Sequence, residues 1–353
     1  VGISSRTYIT KKVADNAPKL LAVGRFGIGV NNIDLQACNQ NGIAVFNAPY
    51  SSTRSVVELA LGEMMVLFRR VVEKNEKAQK GIWDKTDKNC HEIRGKKLGI
   101  IGYGNIGFQI GLLAEALGME VYYYDVFEKL ALGKAKAAAS LAELLKTADV
   151  LTLHLDGRKE NTNFIGEKEF KLMKDGVIII NTSRGHIIDI EALAKYVKNG
   201  KVLGAALDVF PKEPKSNSEP FSSILQGLPN VILTPHIAGR SEEAQEHMGG
   251  FVPEKIINFI NTGSTVLSVN FPNILLPAQE KVHRIIHIHK NTPGVLAEIN
   301  NVFAKHKINV EGQYLKTNES IGYVISDVNK ATDEKLVKEL KAIPQTIRVR
   351  ILY

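Results

Sequence analysis

Three polar residues each follow an apolar run in the sequence. Their side chains are of types that suit the binding of a small acid. Arg184 comes shortly after residues 177–180, Glu213 follows residues 202–207, and His236 follows residues 231–233. A guanidinium binds a carboxylate through two parallel hydrogen bonds, and an imidazole accepts a hydroxyl proton near neutral pH. A glutamate on the other ring nitrogen fixes the tautomer and favours the charged imidazole. Singly, these residues also fit a surface cation, a solubilising loop residue and a buried histidine. Jointly they predict a catalytic site.

A glycine loop between residues 96 and 125 predicts a dinucleotide site beside these residues. Gly102, Gly104 and Gly107 have the spacing of a tight turn, a close approach to a pyrophosphate and a close helix–sheet contact, respectively. The free N–H groups of the following helix, starting near Asn105 and Ile106, then hold phosphates. A purely structural glycine turn is the alternative.

An acid at the end of the next apolar run indicates which dinucleotide binds. Asp125 lies 23 residues past Gly102 (125 − 102), close to the roughly 20 typical of a ribose-binding acid. The carboxylate accepts from ribose hydroxyls and repels a 2′-phosphate, and the next two residues carry no cation. The pattern therefore predicts NAD rather than NADP as cofactor.

The elements that must position these residues read as strands alternating with helices. Six apolar runs are too continuous to face water on either side, as expected of buried parallel strands: residues 98–101, 121–124, 150–153, 177–180, 202–207 and 231–233. The fold class predicted is therefore α/β, with a doubly wound parallel Rossmann sheet. Ligands in such sheets lie at the carboxyl ends of the strands. Asp208, directly after 202–207, is accordingly expected to accept a hydrogen bond near the nicotinamide or to keep the local field anionic.

The first fifty residues predict a smaller flavodoxin-like unit that receives the substrate. Residues 20–23 and 43–46 read as strands, and Gly27 and Gly29 leave N–H groups accessible to an anion between them; a plain strand-to-helix turn is equally compatible. A long helix is expected from Thr53 or Ser55 to about Glu76. The division predicted is a substrate-binding domain at 1–51 and 240–280 and an NAD-binding domain at 52–239.

Residues 281–353 predict a separate ferredoxin-like module. Its order is strand 284–289, helix 295–307, strands 310–316 and 322–328, helix 332–342 and strand 346–352, with Thr292 capping the first helix. A module of about 70 residues appended after the chemistry is more often a sensor or an assembly unit than a catalyst.

Composition bounds the remaining classes of function. The content of 44% hydrophobic and 23% charged residues is that of a globular protein, and no apolar run reaches the roughly 20 residues of a membrane span. The net charge is +8, but the lysines are scattered among Glu and Asp, and this distribution argues against nucleic-acid binding. Cys38 and Cys90 lack paired spacing, so free thiols and a reducing, cytoplasmic location are expected. Val1 is not a Met and begins no signal peptide, and a missing N-terminal portion is expected.

Three motifs resemble signatures of the D-2-hydroxyacid dehydrogenase family. They are Ser183-Arg184-Gly185, Asp208-Val209-Phe210 with Glu213-Pro214, and Pro235-His236-Ile237, and the likeness covers essentially all 353 residues. The resemblance implies that Arg184, Glu213 and His236 are catalytic. It implies further NAD contacts from the loop and strand-end residues Gly102, Gly104, Asn105, Ile106, Gly107, Asp125, Thr182, Ser183, Arg184, Asp208, His236 and Gly239. Substrate contacts are implied for Gly27, Ile28, Gly29, Ser52 and Lys85.

Together with the C-terminal module, the chain is similar to family members that oxidise 3-phospho-D-glycerate in phosphorylated serine synthesis. The module looks like an ACT domain, which implies pairing across subunits, a homotetramer and feedback inhibition by L-serine held by His289, Asn291 and Asn309. The loop at residues 81–88, with Trp83 as anchor, is implied to cross a dimer interface. Ser4 and Ser52 depart from an expected arginine and asparagine on the phosphate side, and Ala238 replaces a usual glycine.

Two alternatives to this activity stay open on the sequence. The first is another D-2-hydroxyacid dehydrogenase, of the 2-oxoglutarate/2-hydroxyglutarate type. The second is a non-catalytic NAD-sensing scaffold. A metal is not expected, because His287 and His289 share one strand face but no third ligand lies at a suitable spacing.

Overall fold

The computed structural model describes residues 1–277 and 282–353, which form two compact units. One contains Val1–Ser51 and Gln245–Tyr353, and the other contains Ser52–Ala244. The predicted border between residues 280 and 281 lies outside the described residues, and the three-domain division stays a prediction. Each unit is described by itself below.

The N-terminal segment forms a small parallel sheet with two short helices. Its elements are β1 (Gly2–Ile3), α1 (Lys11–Asp15), β2 (Ala22–Arg25), α2 (Leu35–Gln40) and β3 (Ala44–Asn47), with strand order β1-β2-β3. Thr10 and Asp34 cap the two helices, because each side chain accepts from a backbone N–H in the first turn.

The unit Ser52–Ala244 is a doubly wound parallel sheet of seven strands, as predicted. Its elements are α3 (Thr53–Phe68), α4 (Val71–Gln79), β4 (Lys97–Ile101), α5 (Asn105–Ala116), β5 (Glu120–Tyr124), β6 (Lys136–Ala137), α6 (Leu141–Thr147), β7 (Val150–Leu153), α7 (Glu167–Leu172), β8 (Val177–Asn181), α8 (Ile190–Lys198), β9 (Val202–Leu207) and β10 (Val231–Leu233). The strand order is β10-β9-β8-β7-β4-β5-β6. The chain reverses direction across the sheet between β4 and β7, and ligands of such folds bind at that crevice. The two-residue edge strand β6 is the strand that the apolar runs did not predict.

The single long helix expected to reach about Glu76 is wrong, because α3 ends at Phe68 and α4 begins at Val71. Arg70 between them has a left-handed φ of 52°. The carbonyl of Phe68 accepts from His91 N at 2.8 Å, and the Cys90 thiol faces the carbonyl of Arg69. A crossing chain segment therefore takes the carbonyls that a continuous helix would use.

The C-terminal segment adds one long helix and a four-stranded antiparallel sheet. Its elements are α9 (Glu242–Thr262), β11 (His283–Lys290), α10 (Val295–Lys305), β12 (Val310–Thr317), β13 (Ile321–Val328), α11 (Glu334–Ala342) and β14 (Thr346–Ile351), with strand order β12-β13-β11-β14. This confirms the ferredoxin-like prediction. The expected Thr292 cap is wrong, because Gly294 precedes α10 with φ of 92° and the Thr292 hydroxyl faces the carbonyl of Lys290.

A shared core joins the antiparallel sheet to the N-terminal sheet within one unit. Phe46 of β3 packs in the same apolar cluster as Phe259 of α9 and Ile286 and Tyr323 of the antiparallel sheet. Apolar burial of this kind is the main favourable term in folding. The two sheets therefore form one folded body rather than two tethered ones.

Candidate active site

The glycine loop has the geometry that its spacing predicts. Gly102 directly follows β4 with φ of 92°, and a Cβ there would lie 2.6 Å from the carbonyl oxygen of His154. A Cβ on Gly107 would overlap the carbonyl oxygen of Gly102, so the first turn of α5 lies directly on the loop. Gly104 faces open space and supplies no side-chain cap to α5. The N–H groups at Asn105 and Ile106 are thus left facing a space where an anion can approach.

Asp125 lies at the end of β5 and is held by two backbone groups. Its carboxylate accepts from Tyr103 N at 2.9 Å and from Phe127 N at 3.0 Å. The side chain is half-buried, and a carboxylate has lone pairs left for further donors such as ribose hydroxyls. The acid therefore fits its expected role.

The loop after β8 adds a second set of groups to the same edge of the sheet. Thr182 is 8% exposed, and its hydroxyl has no hydrogen-bond partner within the described residues. Ser183 donates its hydroxyl and N–H to Asn181 Oδ1, and Asn181 Nδ2 donates to the carbonyl of Arg184. An orphan hydroxyl and an uncapped helix start at the same edge of the sheet fit a bound dinucleotide. Asn181 was missed from the sequence, where a polar residue closing an apolar run was the available signal.

His236 and Glu213 form a hydrogen-bonded pair. His236 Nδ1 lies 2.8 Å from Glu213 Oε2, and the side chains are 51% and 36% exposed. Although burial raises the pKa of Glu213, the hydrogen bond and charge of His236 lower it further, so the net pKa lies below its ordinary value. The ionised Glu213 accepts from Nδ1–H, which leaves Nε2 as the proton acceptor.

Asp208 holds the loop that carries His236. This carboxylate is fully buried and accepts from Thr234 Oγ1 at 2.7 Å and from the N–H groups of Ile237 and Ala238, both at 2.8 Å. His236 lies inside this loop with a left-handed φ of 55°. From the sequence, Asp208 was expected to accept a hydrogen bond near the nicotinamide or to keep the local field anionic, and both roles stay predictions. The structure adds that Asp208 is the acceptor that holds the histidine loop.

Arg184 reaches the pair from the neighbouring strand end. β8, β9 and β10 are adjacent and parallel, so the loops after them meet at one edge. Burial lowers the pKa of Arg184, while the charges of Glu213 and Asp156 act against that change. Nη1 donates to the carbonyl of Ser183 at 2.6 Å, its one hydrogen bond within the part of the chain described. The rest of the guanidinium is left for a carboxylate.

A glycine brings the two catalytic loops together. A Cβ on Gly185 would overlap the backbone of Phe210, so the loop after β8 lies directly on the loop after β9. Gly239 similarly faces Ser52, whose Oγ would lie 3.2 Å from an added Cβ. Ser52 is 4% exposed, so its side chain is enclosed beside Gly239.

The other unit carries the predicted anion loop. The N–H groups of Ile28 and Gly29 donate to no acceptor within residues 1–277 and 282–353, whereas the carbonyls of Gly27 and Ile28 accept from Ala48 N and Asn47 Nδ2. Free N–H groups of this kind suit a carboxylate. Lys85 is exposed on its loop.

The predicted effector residues lie at two ends of the antiparallel sheet. His289 pairs with Gly322, while Asn309 bonds Asn329, just past the opposite end of β13. With about 3.3 Å per residue these positions are roughly 20 Å apart along the strand. His289 is buried with Nε2 lacking a partner among the described residues, and Asn291 donates to Asn318 O at 2.8 Å. One chain therefore does not bring all three together.

The described residues contain neither a membrane-spanning helix nor a metal-binding cluster. Across 1–277 and 282–353, none of the helices combines the length and apolarity needed to span a bilayer. In those ranges no cluster of three or more His, Cys, Asp or Glu has a metal-binding arrangement.

Two family models match the chain. Residues 61–238 match the D-isomer specific 2-hydroxyacid dehydrogenase NAD binding domain, and residues 285–348 match the acetohydroxyacid synthase (AHAS) small subunit-like ACT domain. The first match covers the glycine loop, Asp125, Arg184, Glu213 and His236. NAD is accordingly the cofactor, as the sequence predicted.

Curated relatives and solved structures agree with these models. The chain is 48% identical over 353 residues to D-3-phosphoglycerate dehydrogenase of Haemophilus influenzae and 49% identical over 355 residues to that of Escherichia coli strain K12, covering 100% of this chain and 86% of each relative. A D-lactate dehydrogenase from Aquifex aeolicus, complexed with NAD and lactic acid, is 29% identical with a TM-score of 0.69. That match covers 77% of this chain and 86% of the other. This chain belongs to the D-isomer specific 2-hydroxyacid dehydrogenase family and carries an ACT-type C-terminal module.

Proposed function

We propose that this enzyme oxidises 3-phospho-D-glycerate to 3-phosphohydroxypyruvate with NAD, the first step of phosphorylated L-serine synthesis. The observation that carries the proposal is the 2.8 Å contact between His236 and Glu213 at the edge of the sheet that holds the glycine loop. The curated relatives, which match over the whole length of this chain, bear the name of that activity.

The side chains described above have three roles in the proposed reaction: proton transfer, carboxylate binding and cofactor binding. Nε2 of His236 takes the hydroxyl proton, while Glu213 orients the ring and stabilises its charged form. Arg184 binds the substrate carboxylate with the free side of its guanidinium. The glycine loop, Asp125 and Thr182 would hold NAD, which would supply the acceptor for the hydride from C2.

A second class of substrate is favoured by the two departures, at Ser4 and Ser52, from the residues that the family resemblance implies for phosphate binding. Ser52 is enclosed beside Gly239, and Ser4 is exposed where the family resemblance implies an arginine. Fewer cations there favour an unphosphorylated D-2-hydroxy acid. The matched solved structures include a D-lactate and a D-2-hydroxyisocaproate dehydrogenase.

A panel assay separates the two substrates. NADH oxidation is followed with phosphohydroxypyruvate, pyruvate and 2-oxoglutarate. We expect kcat/KM for the phosphorylated acid to exceed the others by at least roughly tenfold. Equal or lower kcat/KM for phosphohydroxypyruvate would transfer the assignment to the unphosphorylated acid.

The ACT-type module is proposed to bind L-serine as an inhibitor between two chains. Because His289 and Asn309 lie at opposite sheet ends, a shared ligand needs the second residue from a partner subunit. Calorimetry of the purified protein is expected to show serine binding that His289→Ala removes. Binding of D-serine at equal strength would argue against a specific site.

We also propose a cytoplasmic homotetramer. Cys38 and Cys90 are both free thiols, in keeping with a reducing compartment. Trp83 is 84% exposed beside Ile82 on the loop that the family resemblance places at a subunit contact. Light scattering of the intact chain and of Trp83→Ala tests the assembly, and a variant that stays tetrameric would contradict this role of Trp83.

A further inference from the structure

Glu63 of α3 is a buried acid that the proposed mechanism does not use. The residue is 5% exposed, and neither Oε atom has a hydrogen-bond partner among residues 1–277 and 282–353. A carboxylate buried without donors is costly, whereas a neutral carboxylic acid is much less so. Whether the Glu63 side chain is ionised or neutral therefore depends on the charges around it.

The elements packed on α3 leave one charge to act on Glu63. Helix α3 contacts α5, β8, β9 and α4. The strands β8 and β9 contain no titratable residue, and the buried face of α5 consists of Gly107, Ile110, Gly111 and Ala114. Of the charged groups on and beside α4, Arg70 pairs with Glu73, and Lys74 and Lys77 pair with Asp84. Glu76 of α4 is exposed to solvent. Asp208, directly after β9, is the charge that opposes ionisation of Glu63.

The hydrogen bonds distinguish the two acids. Asp208 accepts three hydrogen bonds from the histidine loop. Glu63 accepts none among the described residues, and burial together with the charge of Asp208 raises its pKa to about 8. At neutral pH Glu63 is thus mostly a neutral carboxylic acid.

We propose that Glu63 is a positioning residue, which leaves the Asp208–His236 loop in place while it is protonated and disturbs that loop when it ionises. Two negative charges in apolar surroundings repel strongly. The repulsion is relieved when Asp208 moves, and that movement weakens its bonds to Ile237 and Ala238. This inference rests on the proposed oxidation of a hydroxy acid at His236.

The pH profile of the oxidation tests this role in the full-length enzyme. The wild-type kcat/KM should fall as the pH rises above about 8, where Glu63 ionises. In Glu63→Gln we expect the alkaline limb to move up by at least one pH unit, with the acid limb unchanged. Glu58→Gln is the matched control, since Glu58 is exposed on the same helix; its profile should equal the wild type. An alkaline limb that is the same in Glu63→Gln as in the wild type would overturn the proposal.

A second readout does not depend on the substrate. Because the pKa of Glu63 is raised in the folded state, its contribution to stability is complete below pH 4.5 and is lost as pH rises through about 8. The Tm of the cofactor-free wild type should therefore fall relative to Glu63→Gln between pH 6 and 9. Glu63→Met, which is also neutral and of similar size, replaces the first variant if that variant does not fold. Parallel Tm curves of the wild type and the variant would overturn the inference. If the two curves diverge as expected but the wild type shows no turnover, only the proposed function is contradicted.

Discussion

At the scale of single residues, the proposed proton transfer depends on what each partner does to His236. Glu213 bonds Nδ1, Asp208 holds the backbone that follows His236, and Arg184 is proposed to supply the cation for the substrate. Each acts through one or a few short contacts. Single substitutions should therefore separate their roles.

Glu213→Gln should remove the charge that stabilises the imidazolium while keeping the shape. Because the pKa of Glu213 is lowered, the wild-type pair stays intact at neutral pH and is lost only as pH falls through that value. We expect kcat/KM to fall by at least roughly tenfold at pH 7. Stopped-flow rates of NADH oxidation test this, and an unchanged rate would show that Glu213 does not tune the histidine.

Arg184→Lys should keep the charge but lose the planar fork. A lysine at this position offers a point charge in place of two parallel donors, so KM for the hydroxy acid should rise by roughly tenfold or more. NADH affinity, measured by fluorescence, should stay within about twofold. Arg54→Lys, at an exposed residue of α3, is the control. Equal effects in the two variants would contradict the role of Arg184.

The candidate catalytic residues could be predicted because each comes after the end of a strand, and apolar runs in the sequence reveal those strands. His236, Glu213 and Arg184 are of that kind. The loop-holding role of Asp208 was not predictable, because it depends on which N–H groups a folded loop directs towards it. Glu63 lies among the apolar residues of α3, and that position in the sequence was the available signal of a buried acid.

At the scale of elements, close backbone approaches set the cofactor loop. A methyl group on Gly107 would collide with the carbonyl of Gly102, which is backbone and cannot rotate away. One turn along, Gly111 faces side-chain atoms of Ile100 and Val121 at 3.3 and 3.4 Å, which can adjust. The two glycines of α5 therefore differ in what an alanine costs.

Gly107→Ala should weaken NAD binding by at least roughly tenfold, because the loop and the start of α5 must separate. Gly111→Ala, on the same helix, should change it by less than about threefold. Titration calorimetry with NAD measures both. Tight binding in Gly107→Ala would mean that the loop has more freedom than the contact implies.

Strands were easier to predict than helix ends. The six apolar runs all became strands, whereas the end of α3 depends on the distant residues His91 and Cys90. The start of α10 at Val295 was predicted, but its cap was not, because Gly294 adopts a left-handed φ that spacing does not reveal. Tertiary contacts and backbone conformation decide such ends.

At the scale of the molecule, a fully buried ion pair ties the antiparallel sheet into its unit. Arg284 bonds Asp327 through two contacts of 2.7 Å and donates to the carbonyls of Thr262, Leu276 and Pro277. Both side chains are 0% exposed. The sequence of β11 did not predict this contact, because the contact joins segments far apart in sequence.

Arg284→Met should lower the Tm strongly, since it leaves Asp327 buried without a partner, at a cost of about 3–5 kcal/mol. The double variant Arg284→Met/Asp327→Leu should recover part of that loss. Calorimetric unfolding compares the two. A double variant less stable than the single one would show that the carbonyl contacts, rather than the ion pair, matter most.

The most direct test of the central claim is the turnover of His236→Gln with NADH and phosphohydroxypyruvate. If His236 moves the proton, kcat should fall at least roughly a hundredfold while the NADH dissociation constant stays within about twofold of the wild type. A kcat near that of the wild type, with NADH binding intact, would contradict the account.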